Sequence, residues 1–166
     1  MSQIASIDIN AIIQTVLDVL KRRENTVLKI DVATLAKGLP SSTYTGYGAL
    51  YVPLADLAFI HELVIFNAST PAIATVLDAL SYGVRLHITV HEQLLPLLPL
   101  AKLTRFPATI ADQHDNLVHI STNKVVDYSL VVGLSGKWLL IPHHTLVTAL
   151  ANEQLIRRQI KLIRTE

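Results

Sequence analysis

The run from Ser69 to Val90 constrains the fold more than any other part of the chain. Ser69, Thr70 and Pro71 spell a helix start, with Thr70 as the cap and Pro71 at the first helical position, where its missing N–H costs nothing. Ile73, Val76, Leu77 and Leu80 recur at helical spacing up to about Tyr82. Gly83 then supplies the left-handed residue that ends such a helix. Val84, Leu86, Ile88 and Val90 alternate with Arg85, His87 and Thr89, which is the two-residue period of a strand. With the short apolar run Leu63 to Phe66 taken as a preceding strand, the segment is a βαβ unit. Such units carry a right-handed crossover onto a parallel sheet.

The same patterns predict strands over Thr26 to Val32, Ala108 to Ala111, Leu117 to Ile120, Tyr128 to Gly133 and Trp138 to Ile141. Asp115 with Asn116, and Ser135 with Gly136, have the chemistry of turns between them. A last helix is expected over Thr145 to Arg157, with Leu146, Ala149, Leu150 and Ile156 inward, and Gln159 to Arg164 alternates as a closing strand. Gly38 to Gly48, with Pro40, Ser41, Ser42, Thr43 and three glycines, is predicted to be a loop. The expected fold is therefore α/β: a mostly parallel sheet with flanking helices, forming a single domain over residues 26–166 and preceded by an amphipathic helix.

That leading helix is predicted over Ile7 to Arg23. Ile9, Ile12, Ile13, Val16, Leu17 and Leu20 form one stripe, and Asn10, Gln14, Asp18 and Lys21 the opposite side. Asp8 at its start and Lys21, Arg22 and Arg23 at its end complement the helix dipole. An isolated helix of this length is marginal in water, so it must pack on something. Each aliphatic side chain gains roughly 1.5 kcal/mol or more on full burial. Two surfaces stand open at this point. One is the parent domain. The other is a partner's groove, in which case residues 1–23 are a recognition segment contacting through Ile9, Ile13, Val16, Leu17 and Leu20.

Composition narrows the chemistry. The absence of cysteine removes disulfides, thiolate nucleophiles and thiolate metal ligands together. Fourteen basic and thirteen acidic residues leave a formal charge of +1, so bulk charge recruits neither nucleic acid nor membrane. Although 51% of the chain is hydrophobic, no apolar run reaches the roughly 20 residues that span a bilayer. Leu94 to Leu103 is broken by Pro96, Pro99 and Lys102, and the amino end lacks the blocks of a secretory signal. A soluble, cytosolic protein is expected.

Seven histidines invite a metal. Adjacent His143 and His144 cannot easily face one ion, His87 and His91 straddle a strand, and no H-E-x-x-H pattern occurs. No metal and no cofactor are expected. Serine nucleophile motifs are missing, and Asp112 and Asp115 sit beside a turn where Asp is ordinary. No catalytic set emerges, so the expectation is a protein that is not an enzyme. An alternative is a flavin- or nucleotide-binding site at the carboxyl ends of the strands, where Thr70, His91, His143 and Thr145 would meet a phosphate. Against it, Asn67 to Pro71 contains no glycine, and threonines at helix starts are commonly plain caps.

The block Leu77-Asp78-Ala79-Leu80-Ser81-Tyr82-Gly83-Val84-Arg85-Leu86, continued by His91-Glu92-Gln93-Leu94-Leu95-Pro96 and Pro99-Leu100-Ala101-Lys102-Leu103, resembles the PduM family of the propanediol-utilisation bacterial microcompartment. His143-His144-Thr145-Leu146-Val147-Thr148-Ala149-Leu150-Ala151 and Gln159-Ile160-Lys161-Leu162-Ile163 resemble it too. The likeness covers most of the chain and is weakest between Val32 and Leu63. It implies a structural or assembly role in a microcompartment, through contact with shell or lumen proteins, and carries no catalytic signature. It also implies that the leading helix faces the shell. The linker Arg22 to Asn25 is short for a freely swinging tag, which keeps docking onto the parent domain open.

Overall fold

The computed structural model describes residues 9–165; Ile7 and Asp8, expected in the first helix, lie outside the described residues. Helix α1 (Ile9–Glu24) leads into strand β1 (Val27–Lys29), the short helices α2 (Val32–Leu35) and α3 (Ser41–Gly46), and β2 (Ala49–Val52). Helices α4 (Leu57–Val64) and α5 (Pro71–Ser81) precede β3 (Arg85–Val90). A 3-10 helix (Glu92–Leu97) and α6 (Leu100–Leu103) precede β4 (Ala108–Asp112). These four strands form one parallel sheet in the order β1-β2-β3-β4. Each crossover thus steps the same way. Right-handed crossovers that all step one way place every connecting helix on the same face of the sheet.

That face is the main core. Leu50, Leu86, Val52, Ile88 and Ile110 from the strands pack with Leu35, Tyr44, Ile60, Leu63, Ile73, Val76 and Leu95 from the connecting segments. Asp31 and Asp56 cap α2 and α4, their carboxylates accepting from the Thr34 and Phe59 N–H groups. The Thr34 hydroxyl and N–H hold the Asp31 carboxyl below its ordinary range.

The second half repeats the scheme on a smaller scale. Strands β5 (Val118–Ile120), β7 (Trp138–Pro142) and β9 (Lys161–Thr165) form a second parallel sheet in that order. Between them lie β6 (Val125–Val126), α7 (Tyr128–Val132), β8 (Leu146–Val147) and α8 (Ala149–Arg157), with β6 and β8 paired in parallel. Val118, Trp138 and Leu140 join the main core, while Leu139 and Ile141 pack with Val131, Ala151 and Leu155 in a second cluster. Strand β7 is buried on both faces, and its sequence Trp-Leu-Leu-Ile is accordingly apolar throughout.

Several sequence expectations need correction. Leu63 to Phe66 is not a strand: Leu63 and Val64 finish α4, whose Phe59 and Ile60 are also buried. The strand of that βαβ unit is β2, further upstream. Tyr128 to Gly133 is helix α7, capped by Asp127, rather than a strand. Part of the Gly38–Gly48 loop is helix α3, pinned by the buried Tyr44 ring, whose hydroxyl donates to the Thr75 carbonyl. Finally, Thr148 rather than Thr145 caps the last helix, accepting from the Ala151 N–H at 3.2 Å, and the helix turns Ala151 and Leu155 inward, while Leu146, Ala149, Leu150 and Ile156, expected inward, are exposed.

Candidate interaction site

Helix α1 contributes no buried residue to either core. Ile9, Ile12, Ile13, Val16, Leu17, Val19 and Leu20 are between 40 and 68% exposed. Ile9, Ile13, Val16 and Leu20 follow the i, i+4, i+7, i+11 spacing of a straight stripe, flanked by Ile12, Val19 and Leu17. All five stripe residues singled out from the sequence lie on it. The sequence reading left out Val19.

The root of the helix, by contrast, is clamped. The Arg23 guanidinium donates to the Tyr47 and Tyr82 carbonyls, at 3.1 and 2.5 Å. Arg85 donates to the Glu24 carbonyl at 2.7 Å. The Thr26 hydroxyl lies 2.7 Å from the Arg23 carbonyl and 2.9 Å from that of Gly46, sharing its one proton between them. Gly48 allows this close approach, since a Cβ there would sit 2.8 Å from Glu24 Cα. The stripe therefore projects from a fixed corner of the domain.

Next to that corner lies the other face of the β1–β4 sheet. Strand register aligns Val27, Ala49 and Arg85 in one row and Lys29, Tyr51, His87 and Thr109 in the next. Val27 is 55% exposed, and Lys29, Arg85 and Thr109 are exposed too. Parallel sheets are normally covered on both sides. Here the crossover helices lie on the opposite face; on this one the turn after β4 lies over Tyr51 and His87, and further along the strands Thr89 and Ala111 are buried, Thr89 accepting from the Leu54 N–H.

That turn is held by Asp112. Its carboxylate, 2% exposed, accepts from the Trp138 indole N–H at 2.8 Å, the Asn116 side chain at 2.8 Å, and the N–H groups of His114 and Asn116. Burial pushes the Asp112 carboxyl up, but these donors outweigh it and hold it down at about 2. The turn swings Asp115, at φ 60°, over the sheet. There the Tyr51 hydroxyl donates to Asp115 at 2.6 Å, and His87 Nε2 lies 3.8 Å from the same carboxylate. Tyr51 and His87 stack at 5.1 Å, and the Lys29 ammonium sits 5.4 Å from the centre of the Tyr51 ring. Burial, and after it the Asp115 carboxylate, push the Tyr51 phenol up. This polar row was missed from the sequence. Its signal was the alternation of Arg85, His87 and Thr89 in β3, because a strand covered on both faces has no place for such a set.

The strand-end residues proposed for a phosphate have other partners. The Thr70 hydroxyl does not cap α5; it donates to Glu62, which also receives the Asn67 amide. His91 Nδ1 accepts from the Gln93 N–H at 3.4 Å, capping the 3-10 helix. Thr145 is buried and donates to the Asn123 carbonyl at 3.1 Å. Arg164 links the backbone of two of them, donating to the His143 and Thr145 carbonyls at 2.8 Å each. Among the described residues no three His, Asp or Glu side chains gather as a metal set, and no helix is long and apolar enough to cross a membrane.

A family described as PDU_like, putative propanediol utilisation, matches residues 11–161. The bacterial microcompartment assembly protein PduM of Citrobacter freundii is 31% identical over 155 residues, which is 93% of this chain and 95% of that protein. The chain belongs to the PduM family. PduM of Salmonella typhimurium, with the same description, is 28% identical over the same shares of each chain. No solved structure matches. The family match begins inside α1 and runs through the Val32–Leu63 region, where the quoted PduM motifs are thinnest. The helix from Ala11 onward and the exposed sheet face thus lie within the part of the chain that the family model spans.

Proposed function

We propose that this chain is a structural protein of a propanediol-utilisation microcompartment that promotes assembly by binding a shell or lumen protein, and that residues 1–23 are its attachment segment to a domain over residues 26–166. The two PduM relatives carry the name of microcompartment assembly proteins, which supports the assembly role and the location. One observation carries the attachment mode: a 16-residue amphipathic helix with none of its residues buried, projecting from a clamped root. Burying the stripe in a groove supplies the packing that an isolated helix lacks. Ile9, Ile13, Val16, Leu17 and Leu20 are the contacts.

The test is a double charge substitution in the stripe, Ile13→Glu with Val16→Glu, in cells that form the compartments. Both positions are about half exposed, so the circular dichroism and melting of the purified variant stay those of the parent. The variant is expected to vanish from purified compartments. A variant that folds and co-purifies as well as the parent refutes the reading.

A further inference from the structure

The α1 stripe has a symmetry of its own. Ile9, Ile13, Val16 and Leu20 are spaced four, three and four residues apart, so the row reads the same from either end. Two copies of α1 laid antiparallel about the midpoint between Gln14 and Thr15 set Ile9 against Leu20 of the second copy, and Ile13 against Val16. Ile12 and Leu17, at 51 and 40% exposure, flank the row at equal distances from that midpoint.

Charge selects the direction. From Ile9 to Leu20 the helix holds one charged residue, Asp18, and the basic group Lys21, Arg22 and Arg23 follows at its carboxyl end. A parallel pair would bring the two basic groups side by side. The antiparallel pair holds them roughly 20 Å apart at a rise of about 1.5 Å per residue, well beyond the Debye length of about 8 Å. It also brings each basic group to the start of the other helix, where the chain carries Asp8, and sets the two helix dipoles in opposition. Each domain is clamped at the carboxyl root of its own helix, so the two domains stand at opposite ends of the pair.

Area sets the strength. At about 25 cal/mol per Å², full burial of an aliphatic side chain removes roughly 60–120 Å² of apolar surface. Ile9, Ile12, Ile13, Val16, Leu17 and Leu20 are 40 to 68% exposed, so the pair covers roughly 400–700 Å² in total. A stable interface takes about 1,200–2,000 Å². A pairing of this size shields an apolar patch of the kind soluble monomers rarely leave open, and it exchanges readily for a groove that encloses the stripe more fully.

We propose that in the free protein α1 pairs antiparallel with α1 of a second copy, masking the attachment stripe until the partner's groove displaces that copy. The proposal rests on the attachment role of α1 and adds its regulation by self-association.

Sedimentation of the full chain from roughly 1 µM to roughly 1 mM should show a reversible rise from monomer toward dimer. Ile13→Glu with Val16→Glu should abolish it while keeping the parent's melt. The chain has no cysteine, so single cysteines report the geometry. Under mild oxidation Ile13→Cys should form a disulfide dimer, because the two copies of that position lie about 4.5 Å apart along the pair. Ile9→Cys alone, about 16 Å from its copy, should not, but mixed with Leu20→Cys it should give the heterodimer. The oxidised Ile13→Cys dimer should co-sediment with purified propanediol-utilisation microcompartments roughly tenfold or more weakly than the same protein after reduction. A chain that stays monomeric throughout, a dimer that survives the double glutamate substitution, or Ile9→Cys linking as readily as Ile13→Cys overturns the pairing and leaves the attachment reading standing. Equal binding of oxidised and reduced Ile13→Cys overturns the masking. Failure of the attachment reading is seen separately, as Ile13→Glu with Val16→Glu binding compartments like the parent, and it removes the masking role with it. Flotation of a monomeric parent with phosphatidylglycerol vesicles, lost in the double variant, replaces the second copy by a lipid surface.

Discussion

Replacing Asp112 with Asn tests the turn that gives the uncovered sheet face its polar row. The carboxylate is almost fully buried and receives four donors. Its fall from the ordinary value of 3.8 to about 2 is close to two pKa units, equivalent to about 2.5 kcal/mol. The amide of Asn adds a penalty by placing an N–H where a donor already points, so Asp112→Asn should cost about 3 kcal/mol at neutral pH. In a chain of this size that is a melting-point drop of roughly 6–12 °C.

The pH dependence has a definite sign. The folded-state value lies below the unfolded one, so the contribution is fully present above about pH 4. It is lost as pH falls toward about 2, where parent and variant converge to within about 1 kcal/mol. Urea melts of both proteins between pH 2 and pH 7 read this directly. The other depressed carboxyls, Asp31 and Asp127, are present in both proteins and cancel. A gap that stays constant across that range, or an Asn variant as stable as the parent at pH 7, would refute the assignment.

Gly48→Ala places a methyl group against the backbone of Arg23 and Glu24; about 1–3 kcal/mol of stability should be lost in thermal melts, with increased protease cutting near Thr26. Asp56→Ala removes the α4 cap and should cost about 1 kcal/mol in urea titrations. Leu95→Ala, in the main core with no exposed surface, should cost about 2–5 kcal/mol by the same method.

Where the sequence pattern was periodic, much of the fold was legible. The α5–β3 segment, the parallel pairing of the strands and the leading amphipathic helix follow from it, although the strands form three sheets rather than one. Two of the failures share a cause. Leu63 to Phe66 and Tyr128 to Gly133 are short apolar runs, and a buried helical turn has the same letters as a buried strand. What distinguishes them is upstream: Asp56 and Asp127 accept from the N–H groups of Phe59 and Leu130, which commits each run to helix. At the candidate site, the α1 stripe was readable because its period is helical. Its exposure was not, because exposure depends on where Arg23 and Thr26 fix the helix root, through bonds to residues as distant as Tyr82. The sheet-face row was hidden for a related reason. Lys29, Tyr51 and His87 come together only through strand register, and Asp115 joins them only through the Asp112 turn.

The most direct test of attachment by α1 is a photo-crosslinking amino acid placed at position 16, on the stripe, and separately at position 14, on the polar side, in cells that build the compartments. A discrete adduct with a shell or lumen protein from position 16, and none from position 14, is the predicted result. Adducts of equal yield from both positions, or a crosslink from position 16 only to this chain's own sheet, would contradict it.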